Sequence, residues 1–200
     1  VSYYGASLFS LPEYVRVYDT DLSTVLKELH TVYDLDAAYT SRRIIGLAGT
    51  VEVKGRDGSG LNWVSKVTYG YDAGNFDGAG QNISPVGHDG TNYGSGFVAG
   101  RGNLTSTTRW NVESGKESNS AYAIGSSAKY NTAGAVVSQT TPWDGSSTRT
   151  VTVDYTDSFN SGGIAATYAY PTKITDPAGS YSQVKYRYDI GANIEASSPA

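Results

Sequence analysis

The sequence contains no cysteine and no methionine, and charged residues make up only 17% of its 200 positions. The lack of cysteine excludes disulfide bonds and thiolate metal sites. The net charge is −4 and lysine and arginine form no run, so the clustered cations that nucleic-acid binding requires are missing. No apolar run reaches the roughly 18 residues of a membrane-spanning helix. Since methionine is missing even at residue 1, we expect a chain that begins after processing or a segment of a longer product.

Residues typical of enzyme active sites are also scarce. The two histidines, His30 and His88, stand in no metal-binding spacing. No serine lies in the Gly-x-Ser-x-Gly pattern of a nucleophile elbow. The aspartates mostly stand beside turns, where their side chains bond the local backbone, although a pair of them in a cleft would be the alternative of a glycosidase. We therefore expect a protein that is not an enzyme, with no catalytic residues, no metal and no cofactor.

The abundant residues are those of short strands and tight turns. The chain has 17 tyrosines and 24 glycines against only 4 phenylalanines. Tyrosine favours strands, whereas glycine, asparagine, aspartate and serine favour turns. This composition predicts an all-β fold of antiparallel hairpins, which we place in a single domain over residues 1–200.

The clearest strand pattern lies near the end of the chain. Residues 183–190 alternate between polar and apolar side chains, which is the pattern of a half-buried strand. The pattern predicts one shared face for Val184, Tyr186, Tyr188 and Ile190. A turn at residues 176–179 precedes this strand and a second turn at residues 189–191 follows it. The same spacing recurs at residues 67–72 and 151–155.

Residues 21–33 fit two periodicities. Helical spacing relates Leu22, Val25, Leu26 and Leu29, with Asp21 as a possible N-cap. Spacing by twos instead places on one strand face Val25, Lys27, Leu29, Thr31 and Tyr33. We favour the strand because the flanking segments are strand-like and so short a helix would be marginal.

Residues 72–102 are rich in glycine, with nine in this stretch. We expect a long surface loop there, with at most one short strand. Regular alternation resumes after residue 103. It predicts a strand with one face formed by Leu104, Ser106, Thr108 and Trp110.

These motifs resemble the YD repeats, also called Rhs (rearrangement hotspot) repeats. A repeat of that family combines a Tyr-x-Tyr-Asp strand end, a Gly-Asn turn, a further strand and an Asp-Pro-x-Gly turn. Residues 69–75 and 186–191 match the strand end, residues 176–179 match the turn, and residues 130–134 match with asparagine in place of aspartate. The resemblance covers most of residues 60–200 and, more faintly, residues 14–34. We assign as structural repeat residues Tyr69, Tyr71, Asp72, Gly74, Gly179, Tyr186, Tyr188, Asp189 and Gly191.

The resemblance implies hairpin repeats stacked into a twisted or spiralling sheet, as a β-solenoid or a β-sandwich. In the family such sheets sometimes form a hollow shell around a toxic C-terminal domain, and the proteins are exported or displayed by bacteria. Two features depart from the family. Its shells are far longer than 200 residues, and residues 176–179 lack the following leucine of the self-cleaving core segment, so self-cleavage is not carried over.

We expect a non-enzymatic structural protein at the exterior or surface of a bacterial cell. An array of uncapped hairpins exposes unpaired strand edges, so we expect it to self-associate into a filament, sheath or shell. One alternative is a carbohydrate-binding or adhesive module, in which Trp63, Trp110 and Trp143 would stack on glycans. Another is the shell fragment of an exported Rhs-type toxin. Exposed serines and threonines are candidates for O-linked glycosylation.

Overall fold

The computed structural model of the chain describes residues 2–3, 9–74, 76, 78, 80–144, 146–158 and 165–198. Strands account for 45% of the structure and helices for 6%, so the fold is all-β, as the composition predicts. The strands pair antiparallel with their neighbours in sequence, which confirms the predicted hairpins. Two compact units are present, one of Val1–Tyr71 with Ser106–Gly125 and the other of Asp72–Thr105 with Ser126–Ala200.

The first unit is built on five strands that lie side by side in sequence order. They are β1 (Ser2–Tyr3), β2 (Pro12–Tyr18), β3 (Val25–Tyr33), β4 (Ala48–Asp57) and β5 (Gly60–Tyr71). A short helix, α1 (Ala37–Thr40), connects β3 to β4, and a 3-10 turn lies at Ser120–Tyr122. Strand β6 (Leu104–Arg109) begins in the second unit and ends in the first.

The second unit also keeps its strands in sequence order. They are β7 (Ile124–Tyr130), whose first two residues belong to the first unit, and then β8 (Val136–Pro142), β9 (Thr148–Asp154), β10 (Lys173–Thr175), β11 (Tyr181–Arg187) and β12 (Ala192–Ser197). A second short helix, α2 (Gly90–Tyr93), lies in the glycine-rich stretch.

The ambiguous stretch at residues 21–33 forms a turn and a strand, so the strand prediction is confirmed. The Asp21 carboxylate accepts the backbone N–H groups of Ser23 and Thr24, which closes a turn instead of capping a helix. Strand β3 then pairs with β2 on one side and with β4 on the other. Backbone hydrogen bonds along both edges favour the strand over a short helix.

The alternation predicted for residues 183–190 is wrong at its end. Strand β11 stops at Arg187, and its register with β12 shifts between Lys185 and Tyr186. Because Arg187 pairs with Ala192, the residues between them form a tight turn. Tyr188 and Ile190 therefore do not continue the strand face of Val184.

The described part of residues 72–102 contains α2 and no strand, as a loop prediction requires. Part of this loop lies beneath the surface, however. Gln81 is fully buried; its side-chain amide donates to the carbonyl of Tyr130, and its side-chain carbonyl accepts the N–H of Gly78. The loop is thus held by hydrogen bonds to a buried polar side chain, which glycine content does not reveal.

Few hydrophobic side chains of the described residues are buried. Within the described ranges only Tyr39 and Val137 are. The buried polar side chains are Asp72, Gln81, Thr105, Asn131, Thr132 and Thr172. The fold therefore depends more on strand pairing and buried hydrogen bonds than on an aliphatic core.

Candidate functional site

Four strands end in a tyrosine that is followed by aspartate or asparagine. These pairs are Tyr18-Asp19, Tyr33-Asp34, Tyr71-Asp72 and Tyr130-Asn131. In each pair the backbone N–H of the second residue donates to the carbonyl of the residue just before the next strand. The accepting residues are Thr24, Leu47, Asn103 and Ala135. The motif therefore closes the connection at the end of a strand, whether that connection is short or long.

The tyrosine hydroxyls add a second recurring contact. Tyr33 donates to the carbonyl of Pro12 at 3.1 Å and Tyr71 to that of Ala48 at 3.0 Å. Tyr130 donates to the carbonyl of Leu104 at 3.0 Å. In all three cases the accepting carbonyl belongs to the first residue of the strand that comes just before the tyrosine's own strand in the sequence. Each hydroxyl thus fixes the end of its own strand against the start of another.

Asp72 closes the longest of these connections. Its carboxylate accepts the backbone N–H groups of Arg101, Gly102 and Asn103 at 2.8, 3.0 and 2.9 Å. The side chain is buried, and its backbone has a positive φ of 57°. Aspartate is one of the few residues that tolerate this conformation, because its short side chain bonds locally.

The Arg101 side chain holds the same connection in place through hydrogen bonds to backbone carbonyl groups. Its guanidinium donates to the carbonyls of Phe97 and Thr132 at 2.7 Å and to that of Gly94 at 3.0 Å, and it also bonds to the carbonyl of Tyr93. Five donors in a fixed fork suit such a set of carbonyl groups. The arginine is therefore structural rather than available for a ligand.

The other predicted repeat residues have varied surroundings. Tyr69 lies in β5, and Gly74, Gly179 and Gly191 all have a positive φ. The Tyr186 ring stacks on Tyr170 at 4.8 Å, and the Tyr188 hydroxyl accepts the N–H of Ser158. Asp189 pairs with Arg187 at 2.7 Å instead of closing a strand connection. These residues shape individual turns and strand ends and do not converge on one site.

The three tryptophans lie beside cations. Lys54 lies over the Trp63 ring at 4.4 Å, and Lys66 lies 5.6 Å from the rings of both Trp63 and Trp110. The Trp110 indole N–H donates to the Thr68 hydroxyl at 3.1 Å. Trp143 belongs to the second unit, is 59% exposed and has the Arg149 guanidinium over its ring. Part of each ring is thus engaged by an ammonium or guanidinium group.

The histidines also have ordinary structural surroundings. The His30 ring stacks on Tyr14 at 4.3 Å and contacts the Glu52 carboxylate at 3.0 Å. His88 bonds to the carbonyl of Tyr93, whereas Asp89 caps α2. Across the described residues, no three potential ligand side chains gather at a metal site. The same part of the chain includes no helix long and apolar enough to cross a membrane.

The two faces of the first unit differ in chemistry. One face carries ion pairs and aromatic rings, including the Arg16–Glu28 pair at 2.6 Å. The opposite face carries a cluster of aliphatic side chains, with the polar residues Lys27, Thr31 and Ser65 among them. Cross-strand register places Val15 opposite Leu29, and Leu29 opposite Val53. A neighbouring row on the same face places Val51 opposite Val67. We define the aliphatic face as Val15, Val17, Leu29, Val51, Val53 and Val67.

This aliphatic face is only partly covered within its own unit. At one end the buried Tyr39 of α1 packs edge-on against Tyr71, with ring centroids 6.3 Å apart. Val15 and Val17 are 37% and 52% exposed, and the other members are half-buried. Sequence alternation alone predicts that these residues share a face. It does not reveal how much of that face stays open.

The chain matches no model of a known protein family and no curated protein.

Proposed function

We propose that the chain is a non-enzymatic structural protein that assembles with copies of itself through the aliphatic face of its first unit. The observation that carries this proposal is the aliphatic face itself, which spans strands β2–β5 in two short rows of paired residues and leaves Val15 and Val17 exposed at its margin. Exposed apolar patches of this kind mark interaction surfaces in soluble proteins. Assembly in this way would build a filament, a sheath or a shell.

A second copy of the chain is the partner that this face fits. Alternation places three charged residues of the described strands β2–β5 beside the aliphatic side chains, and they are Glu13, Lys27 and Asp57. A surface with an aliphatic centre and charges of both signs beside it can complement an identical surface, as in a two-fold symmetric interface. Two such sheets would pack about 10 Å apart and form a β-sandwich between chains. This is the finer architecture that we propose within the all-β class, and stacking of further copies would extend it as in a solenoid.

The size of the face sets the expected strength of the contact. Four strands spaced about 4.8 Å apart and about seven residues long cover roughly 440 Å². This is about half of the roughly 800 Å² per partner that a standard interface buries. We therefore expect an assembly that depends on protein concentration and needs many copies to persist. A location outside a bacterial cell rests on the resemblance to Rhs repeats.

Sedimentation velocity over a dilution series tests the proposal. We expect the native chain to shift to larger species as its concentration rises. Val17→Lys places a charge on the aliphatic face, at a side chain that is already 52% exposed, and should keep the chain monomeric. The matched control is Val86→Lys, since Val86 is 64% exposed and lies in the second unit. A native chain that stays monomeric throughout, or a Val17→Lys variant that assembles like the native chain, would contradict the proposal.

A further inference from the structure

We infer that the second unit binds a neutral oligosaccharide in a pocket lined by hydroxyl groups. The pocket encloses about 620 Å³ and lies over strands β8, β9 and β10. That volume is within the range of sites for small molecules. This binding function goes beyond the structural role proposed above and does not depend on it, because the aliphatic face belongs to the first unit.

Hydroxyl side chains in register form the floor of the pocket. Ser138 lies opposite Thr152, and Thr152 lies opposite Thr175 on the next strand. Beside this row, the hydroxyl oxygens of Thr140 and Thr150 are 2.8 Å apart. Because alternate residues of a strand point to the same side, all five hydroxyl side chains lie on one face of the sheet.

One wall of the pocket is the glycine-rich segment at Gln81 and Ile83. Thr132 fixes this wall, because its N–H donates to the carbonyl of Gln81 and its hydroxyl donates to the carbonyl of Ile83. The Gln81 side chain also bonds to the carbonyl of Tyr130 at 3.1 Å. A wall anchored in this way is already ordered, so a ligand loses little affinity to ordering it.

The lining of the pocket also includes Tyr155 and Tyr168. The Asp157 carboxylate holds the backbone around Tyr168 in place by accepting the N–H groups of Thr167 and Tyr168 at 2.9 and 3.0 Å. Ala166 and Tyr168 have φ values of 56° and 49°, which are uncommon for residues other than glycine. Backbone strain of this kind is concentrated at binding and catalytic sites, where surrounding contacts maintain it.

The chemistry of the lining indicates a sugar. A threonine or serine hydroxyl both donates and accepts hydrogen bonds, and so matches the hydroxyl groups of a saccharide in either sense. The two tyrosines add rings with an apolar body and a polar tip. Lys129 and Asp154 contribute one positive and one negative charge to the lining, so the pocket has no charge preference for an anion.

Titration of the whole chain with trisaccharides, followed by amide NMR shifts, tests this inference. The probes are maltotriose, cellotriose and triacetylchitotriose. We expect at least one of them to shift amide signals of β8–β10 and residues 81–83, with a dissociation constant of about 1 mM or lower. Thr152→Val and Thr175→Val each remove one hydroxyl from the floor with a change to another β-branched residue, and should weaken binding about fivefold.

The control variant is Thr141→Val, which removes a hydroxyl next to Thr140 in sequence but from the opposite face of β8. It should bind as the native chain does. The inference is overturned if none of the three sugars shifts the pocket signals, if the shifts arise at Trp143 instead, or if both floor variants, shown by their amide spectra to be folded, bind like the control. Inorganic phosphate is the remaining probe, and pocket shifts with phosphate but with no sugar would also overturn it.

Discussion

Single aspartate side chains hold many of the connections in this chain. Asp21, Asp57, Asp144 and Asp176 each accept backbone N–H groups two or more residues further along. Asp72 does the same across a much longer connection. The local bonds follow from the known preference of aspartate for turns. The partners of Asp72 do not, because they lie 29 to 31 residues away and no local pattern indicates them.

Loss of the Asp72 carboxylate should destabilise the second unit. Asp72→Ala leaves three N–H groups near a buried site without their acceptor, so we expect the free energy of unfolding to fall by about 3 kcal/mol. Asp72→Asn should cost less, since Asn131 accepts two N–H groups in the equivalent position. Urea unfolding of the two variants measures the difference. Equal losses for both variants would show that hydrogen bonding at residue 72 is not the cause.

Glycine is required at residue 179 by backbone conformation alone. Gly179 has a φ of 92°, and a β-carbon added there would meet no atom within 4 Å. Gly179→Ala should therefore cost about 1–2 kcal/mol through the backbone. Gly58→Ala is the matched control, because Gly58 also has open space but no positive φ. Thermal unfolding of both variants checks the prediction, and an unchanged Gly179→Ala variant would refute it.

Acid should destabilise the turns that aspartate carboxylates close. Hydrogen bonds from the Thr24 hydroxyl and from the backbone N–H groups of Thr24 and Ser23 lower the pKa of Asp21 to about 2. The unfolded value is about 3.9, so the stabilisation by this carboxylate is complete above about pH 4 and is lost as the pH falls through about 2. A carbon-13 NMR titration of the carboxyl group should give the low midpoint, and Thr24→Val should raise it. A native midpoint near that of the unfolded chain would count against these bonds.

At the scale of the elements, the recurring contacts of this protein lie at the ends of its strands. Alternation predicts β3 and β5, and their Tyr-Asp ends are visible in the sequence. Alternation does not predict the end of β11, because a register shift at Tyr186 interrupts the pairing. Helix α1 has a local sequence signal, because Asp36 caps it by accepting the N–H of Ala38. The spacing of apolar residues does not indicate this helix. The buried position of Gln81 has no such signal.

The tyrosine hydroxyls at the strand ends should contribute measurably to stability. Tyr71→Phe removes only the bond to the carbonyl of Ala48 and should lower the free energy of unfolding by about 1 kcal/mol. Tyr130→Phe should have a similar effect through Leu104. The control is Tyr181→Phe, at a ring that is 44% exposed and lies beside Lys173. Urea unfolding compares the three variants, and equal stabilities would contradict a role for these hydroxyls.

At the scale of the whole molecule, the distribution of apolar side chains is the main clue to function. A sequence shows that Val15, Leu29 and Val53 can face the same way, but only the strand register shows that they form one row. The hydroxyl floor at Ser138, Thr152 and Thr175 likewise needs the register of three strands. Long-range pairing therefore decides both candidate sites, which is why residue spacing predicts the strands and neither surface.

Electron microscopy of the concentrated native protein would test self-assembly most directly. We expect ordered fibres, sheaths or shells in which the first units of two copies face each other, with their sheets about 10 Å apart. Residues Val15, Val17 and Leu29 should lie within that contact. Dispersed single chains at high concentration, or assemblies in which the aliphatic face stays open to solvent, would contradict the account.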